Sequence, residues 1–359
     1  MNVSDFDFTL PDDLIAQHPP EERGQSRLLV LHRDEDRLEH TTFPHLVEYL
    51  QTGDLLVVND TRVFPARLLG RRVPTGGAVE CLLLRSLPTG DWEALMHPGQ
   101  KLRPGSRVIF ESDGAPLHGE VLARHFYGRR TIRLWTDDPG GVSAAIERLG
   151  HIPLPPYIAR EDRASDRERY QTVYAHEPGS VAAPTAGLHF TPALLAALER
   201  RGVERVALTL HVGYGTFKPV RAERVEDHEV DPEWFTVSAA AAEALTRARR
   251  ERRRIIAVGT TTTRALESLV APDDEPFDSR ALAQGGPIAP ARGETRLFIH
   301  PGHQFRLVSG LITNFHLPRS SLLMLVAAFA GRDRVLAAYR EAIAARYRFY
   351  SYGDAMLIL

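Results

Sequence analysis

Four stretches of the chain place polar, reactive side chains directly after a short apolar run. They are Asn59-Asp60-Thr61-Arg62, Leu210 to Phe217, Gly259 to Arg264 and Ile312 to Leu317. Ligands of open α/β sheets bind at the carboxyl ends of strands, so these turns are where chemistry is first sought. Gly259-Thr260-Thr261-Thr262-Thr263-Arg264 combines a glycine, which permits close backbone approach, with the start of a helix. A helix start offers unpaired N–H groups and a positive dipole end. Four hydroxyls and a guanidinium add donors for a carboxylate, phosphate or ribose. Ordinary N-capping needs only one threonine, and the Gly-x4-Gly-Lys pattern of a P-loop is absent.

The second turn carries His211, Gly213, Tyr214, Gly215, Thr216 and Phe217. An imidazole titrates near neutral pH and can serve as a general base. The faces of Tyr214 or Phe217 suit a cation, with ~1 kcal/mol or more gained on desolvation. A further segment, Pro184 to Thr191, sets Thr185, Gly187 and His189 just before Thr191-Pro192, which reads as a helix N-cap and first turn. His189 is therefore a second candidate base, although a lone histidine is more often a hydrogen-bonded spectator. Asp60 is the third. His189, His211, His228 and His316 show no i, i+3 or i, i+4 pairing and no HExxH motif, so no metal site is expected. No G-x-S-x-G nucleophile elbow is present.

Arginines form two runs. Arg247, Arg249, Arg250, Arg252, Arg253 and Arg254 read mainly as a solvated helix end. Arg160, Arg163, Arg167 and Arg169, near Tyr157 and Tyr170, are the better candidates for tracking the phosphates of a nucleic acid, with contact expected at Arg160, Arg167 and Arg169.

These turns need a scaffold. Its 359 residues suggest about two domains. Met1 to Pro65 contains one clear strand, Asp54–Asn59. Ala66 to Asp138 alternates in short β-like runs, at Ala66–Arg71, Ala78–Arg85, Trp92–His97, Ser106–Glu111, Leu117–Arg124 and Thr131–Trp135, separated by Gly and Pro turn signals. From Gly150 onward strands and helices alternate. Strands are expected at Val206–His211, Ile255–Val258, Leu307–Asn314 and Ala355–Leu359. Helices are expected at Ala193–Arg201, Ser238–Arg250, Arg264–Leu269, Ser320–Ala330 and Arg334–Arg346. Ala271 to Gly293 reads as a polar surface loop. The fold class is then α/β, with residues 1–65 and 151–359 forming one discontinuous domain. A small all-β, barrel-like unit of residues 66–150 interrupts it.

A formal net charge of −2 excludes a histone-like, purely electrostatic role but leaves room for a local basic face. Cys81 is the only cysteine, so neither an internal disulfide nor a Cys-based zinc site can form. The amino terminus lacks a signal-peptide pattern. The longest apolar run, Leu322–Ala330, is far short of the ~20 residues that cross a bilayer. A cytoplasmic protein is expected.

Longer strings carry a resemblance. Val58–Val63 with Pro65–Leu68, His151–Ile158, Arg169–Ala175, Gly179–Thr191, Leu210–Gly213, Gly215–Phe217, Leu311–Pro318 and Tyr347–Met356 are similar, in consistent order, to the S-adenosylmethionine:tRNA ribosyltransferase-isomerases of queuosine synthesis. Asp231 stands where that family usually has a second histidine after His228, and His303 stands where an aromatic follows Pro301-Gly302. The resemblance implies transfer and isomerisation of the ribosyl unit of S-adenosylmethionine onto 7-aminomethyl-7-deazaguanine at the tRNA wobble position. Epoxyqueuosine, adenine and methionine result. S-adenosylmethionine is then a consumed substrate, no cofactor is needed, tRNA is the partner and a monomer is expected. It also implies an α/β domain with an inserted β-barrel. It draws Arg62, Asn314, His316, Tyr352 and Asp354 into the substrate site with the turn residues above. A nucleotide hydrolase would need a metal cluster or nucleophile elbow. A passive tRNA binder would leave the Asn, Asp, Thr and His residues of the turns without a purpose.

Overall fold

The structure, a computed structural model, describes residues 1–35, 37–217, 220–270 and 286–359; the side chains of Tyr127 and Phe217 lie outside the described part. Its main body is a nine-stranded mixed sheet. The strands are β1 (Arg27–His32), β2 (Arg37–Thr42), β3 (Leu55–Asn59), β12 (Glu204–Leu210), β13 (Glu233–Val237), β14 (Ile255–Val258), β15 (Ala291–Thr295), β16 (Gly310–Asn314) and β17 (Ala355–Ile358). Their order across the sheet is β15-β13-β12-β3-β14-β16-β17-β1-β2. A short parallel pair, β4 (Thr61–Val63) and β11 (Glu177–Ser180), lies beside the end of β3.

The central strands are continuously apolar because both faces are covered. Successive side chains point to opposite faces of a strand, and the core divides accordingly. Leu55, Val57, Ile255, Ala257 and Leu311 join one cluster with Leu245, Leu266 and Val326 of helices Ala239–Arg250, Thr260–Ser268 and Ser321–Ala330. Leu56, Val58, Ile256, Val258 and Ile312 join a second with Phe43, Leu46 and helix Pro192–Arg200. Helix Ser321–Ala330 is apolar all round and almost wholly buried, and helix Arg332–Ala344 packs beside it.

The insertion holds β5 (Arg67–Val73), β6 (Ala78–Ser86), β7 (Trp92–His97), β8 (Arg107–Phe110), β9 (Leu117–Arg124) and β10 (Arg129–Thr136). They form a closed barrel, β10-β7-β6-β5-β8-β9. Closure removes the exposed edges that short strands would otherwise present. The barrel itself is all-β, as expected, and a helix follows its last strand. Helix Gly141–Leu149 turns Ala145, Ile146 and Leu149 into the barrel's own core.

Other departures are local. The first zone holds β1 and β2 besides its expected strand. Residues 271–285 of the expected loop lie outside the described residues, and β15 occupies Ala291–Thr295, beginning within it. Among the described residues no helix is long and apolar enough to cross a membrane.

Candidate active site

β3, β12, β14 and β16 run parallel, so their carboxyl ends share one edge of the sheet. β17 is antiparallel to β16, and β1 is parallel to β17. Their amino ends therefore arrive at the same edge, which brings in Ser26 and the Ser351–Asp354 turn. All four turns picked out in the sequence meet here.

His211 follows β12 and is half-buried. Its Nδ1 lies 2.8 Å from Thr61 Oγ1. That hydroxyl is also placed to donate, over a long 3.5 Å, to the Glu177 carbonyl. In the tautomer with the proton on Nδ1, donated to Thr61 Oγ1, Nε2 has no partner among the described residues and carries the lone pair a base needs. Burial holds the imidazole below its usual range, partly offset by Glu177 and Asp60. Asp60 is itself pushed up by burial, against a hydrogen bond of 2.7 Å from Thr209. Two groups with mutually opposed shifts sit together, a pattern found at acid–base sites.

Gly179 makes room for the ring. At φ +145° a Cβ there would fall 2.9 Å from Cε1 and 3.0 Å from both nitrogens of His211. Gly179→Ala is therefore expected to push the imidazole off Thr61. A ~1 Å displacement can lower turnover ~10²-fold, while tRNA affinity stays at the wild-type value. Steady-state kinetics with a binding assay would check this, and wild-type turnover would show that the ring's position is immaterial.

His189 is placed differently. Asn314 Nδ2 donates to its Nε2 at 3.1 Å, and its Nδ1 donates to Ser26 Oγ at 2.9 Å. Full burial pushes its pKa down to about 4 despite the Asp354 carboxylate. With both nitrogens engaged, the ring is a neutral brace between β16, β1 and the Thr185–His189 turn. Asn314 Nδ2 also donates to Tyr350 O at 2.9 Å, leaving Oδ1 a buried acceptor without a partner among the described residues. His316 is likewise pushed down, to about 3, by burial, and its Nε2 meets Thr313 Oγ1 at 2.7 Å.

The threonine turn is the first turn of helix Thr260–Ser268 rather than a lead-in to it. Thr262 and Thr263 donate backward to the carbonyls of Val258 (2.6 Å) and Gly259 (3.1 Å), so they do not face a ligand. The hydroxyls of Thr260 and Thr261 have no partner among the described residues and remain available with the helix's free N–H groups. Arg264, expected from the sequence to contact an anion, has protein partners for two of its three guanidinium nitrogens. Its guanidinium is buried, donates to Glu233 Oε2 at 2.7 Å and to Leu297 O at 3.1 Å, and leaves one nitrogen unpartnered. Glu233 Oε1 accepts from Gly213 N at 3.0 Å and Thr216 Oγ1 at 3.3 Å. Arg264 thus holds the Gly213–Thr216 turn in place through Glu233.

Asp354 accepts from the backbone N of Arg27 and of Arg348, both at 2.8 Å, and Tyr352 donates to Asp166 at 2.9 Å. Asp354 thus ties the Ser351–Asp354 turn to the start of β1, and Tyr352 ties it to Asp166 of the short helix Asp166–Arg169. Gly187 fits under Tyr174, whose hydroxyl would lie 2.2 Å from a Cβ there. Thr185 is half-buried at the head of its turn, and Arg62 is exposed on β4.

The arginine runs are also reassigned by their partners. Arg160 chelates Asp166 at 2.7 and 2.9 Å, Arg167 donates to the carbonyls of Glu147 and Gly150, and Arg169 to those of Pro20 and Glu21. Their donors brace loops instead of standing free for phosphates. Arg247 and Arg253 pair with Glu204, and Arg254 with Asp54, at the amino ends of β12 and β3, on the edge opposite the site. Ser26, Thr209, Glu177 and Glu233 carried no signal in the sequence, since none belongs to a motif there.

A cleft of about 270 Å³ opens beside Tyr214, between barrel residues such as Arg67 and Leu82 and the Ile152–Pro156 linker. Among the described residues no three His, Cys, Asp or Glu side chains cluster to hold a metal.

A profile of the family described as "Queuosine biosynthesis protein" matches residues 3–358. The chain is 52% identical to the S-adenosylmethionine:tRNA ribosyltransferase-isomerase of Symbiobacterium thermophilum and 49% identical to that of Halothermothrix orenii, each over 100% of both chains. It is also similar to the crystal structure of S-adenosylmethionine tRNA ribosyltransferase from Thermotoga maritima. That likeness has a TM-score of 0.54 and 38% identity, covering 99% of this chain and 100% of that one.

Proposed function

Because the chain belongs to the queuosine biosynthesis protein family of S-adenosylmethionine:tRNA ribosyltransferase-isomerases, we propose the following reaction for it. The enzyme moves the ribosyl unit of S-adenosylmethionine onto a 7-aminomethyl-7-deazaguanine at the wobble position of tRNA and rearranges it, giving epoxyqueuosine, adenine and methionine. The reaction needs a base for the acidic proton beside the sulfonium. The observation that carries the assignment is His211, neutral by burial with Nε2 open at the sheet edge. Asp60 is the adjacent titrating group that can accept or return a proton.

The methionyl carboxylate goes to the Thr260 and Thr261 hydroxyls and the N-terminal N–H groups of their helix. The face of Tyr214, beside the cleft, receives the sulfonium. Residues 1–65 with 151–359 form the catalytic body, residues 66–150 an inserted unit, and the enzyme acts as a cytoplasmic monomer without a cofactor.

The test is product analysis with S-adenosylmethionine and tRNA. Adenine and methionine are expected in equal amounts, only when the tRNA carries the aminomethyl-deazaguanine, and a chelator is expected to leave the rate unchanged. Release of S-adenosylhomocysteine instead would overturn the reading.

A further inference from the structure

The hairpin between β9 and β10 carries Phe126, which is 87% exposed. Beside it lies a groove of about 520 Å³ whose lining includes Gly99, Gln100, Arg124, His125 and Arg130. Arg124 forms no ion pair among the described residues, nor do Lys101 and Arg103, which continue the Gly99–Gln100 wall. The groove is built rather than loose. The buried Arg130 guanidinium donates to the carbonyls of Gly99 and Leu102, clamping the 99–102 turn to β10.

Its place in the molecule matters as much as its charge. Arg129, three residues past Phe126, pairs with Asp231 at 3.2 Å. Asp231 packs against the candidate active-site turn, where a Cβ on Gly215 would meet its Oδ2 at 2.7 Å. One chain of contacts therefore joins the hairpin to the turn that carries Tyr214.

We propose that this groove takes the single-stranded tRNA segment flanking the modified nucleotide, with an unpaired base stacked on Phe126 and phosphates at Lys101, Arg103 and Arg124. The inference rests on the tRNA reaction proposed above. A nucleic-acid strand is the occupant that needs both features at once, since a flat apolar face receives any base and free cations follow the backbone.

The test uses the full chain and precursor-bearing tRNA, with tRNA binding measured over a salt series and Michaelis constants for both substrates. Phe126→Ala is expected to weaken tRNA binding about tenfold or more, and Phe126→Trp to retain it. The Lys101→Glu/Arg124→Glu variant should bind more weakly, with a salt slope shallower by about one for each phosphate no longer neutralised. The Michaelis constant for S-adenosylmethionine should not move in any of them. Wild-type affinity and salt slope in these variants, beside a wild-type enzyme that releases adenine in a tRNA-dependent reaction, would overturn the groove alone. A wild-type protein that neither binds tRNA nor releases adenine overturns the functional reading and this inference with it.

Discussion

His211→Ala is expected to lower turnover about 10²–10⁴-fold, the usual worth of a positioned general base, with the Michaelis constants for both substrates nearly unchanged. The ring is oriented by Thr61, is given room by Gly179 and has no hydrogen-bond partner at Nε2 among the described residues. Its pKa is lowered by burial, so the base is already unprotonated at neutral pH. A base works only when deprotonated, and a lowered pKa moves the acid limb of the rate profile to lower pH. The acid limb of the turnover profile should therefore lie at lower pH than that of an ordinary imidazole.

His189→Ala should behave differently. Its two hydrogen bonds go to Ser26 and Asn314, so its removal leaves buried polar groups unsatisfied, at about 1–3 kcal/mol. The loss should be read in denaturant midpoint more than in turnover. If His189→Ala abolishes turnover in a folded protein while His211→Ala spares it, the two roles are exchanged. If both variants keep full turnover, Asp60 becomes the base.

Arg264→Ala is expected to cost about 3–5 kcal/mol of stability, because it strands the Glu233 carboxylate in a site from which water is excluded. The side chains of Arg264 and Glu233 are 10% and 3% exposed, so solvent screens the pair little. Arg264→Ala combined with Glu233→Gln should recover part of the loss. Glutamine removes the stranded charge and keeps an acceptor for Gly213 N. Urea unfolding of the two single variants and the double variant measures this directly. In whatever fraction stays folded, the Michaelis constant for S-adenosylmethionine should rise as the Gly213–Thr216 turn loosens, with tRNA affinity spared. An unchanged unfolding midpoint for Arg264→Ala would sink the argument that this ion pair organises the turn.

The sequence by itself determined the periodic elements and the location of the turns. Strands such as Trp92–His97 and Leu117–Arg124 carry a period of two and recur in the structure with the same bounds. The apolar runs of β3 and β14 announce strands buried on both faces. Both signals are local, since they record which side of a short segment meets the core. Helix Gly141–Leu149 escaped because only Ala145, Ile146 and Leu149 form its apolar stripe, within a stretch dominated by strand signals. β13 and β15 escaped because each is only five residues long and mixes apolar with polar residues, and such short runs are easily taken for loop.

The partners of the charged and polar groups were decided only by the tertiary structure. Arg264 looks like an anion ligand until β13 delivers Glu233 from 31 residues away. Arg160 looks like a phosphate contact until Asp166 closes on it. His189 and His211 are equivalent as residue types on turns, and burial with hydrogen bonding separates them: one has both nitrogens engaged, the other has Nε2 open. The physical reason is range. Periodicity is set by neighbours a few residues apart. A charge or an imidazole is assigned its role by groups that the fold brings within about 3 Å from anywhere in the chain.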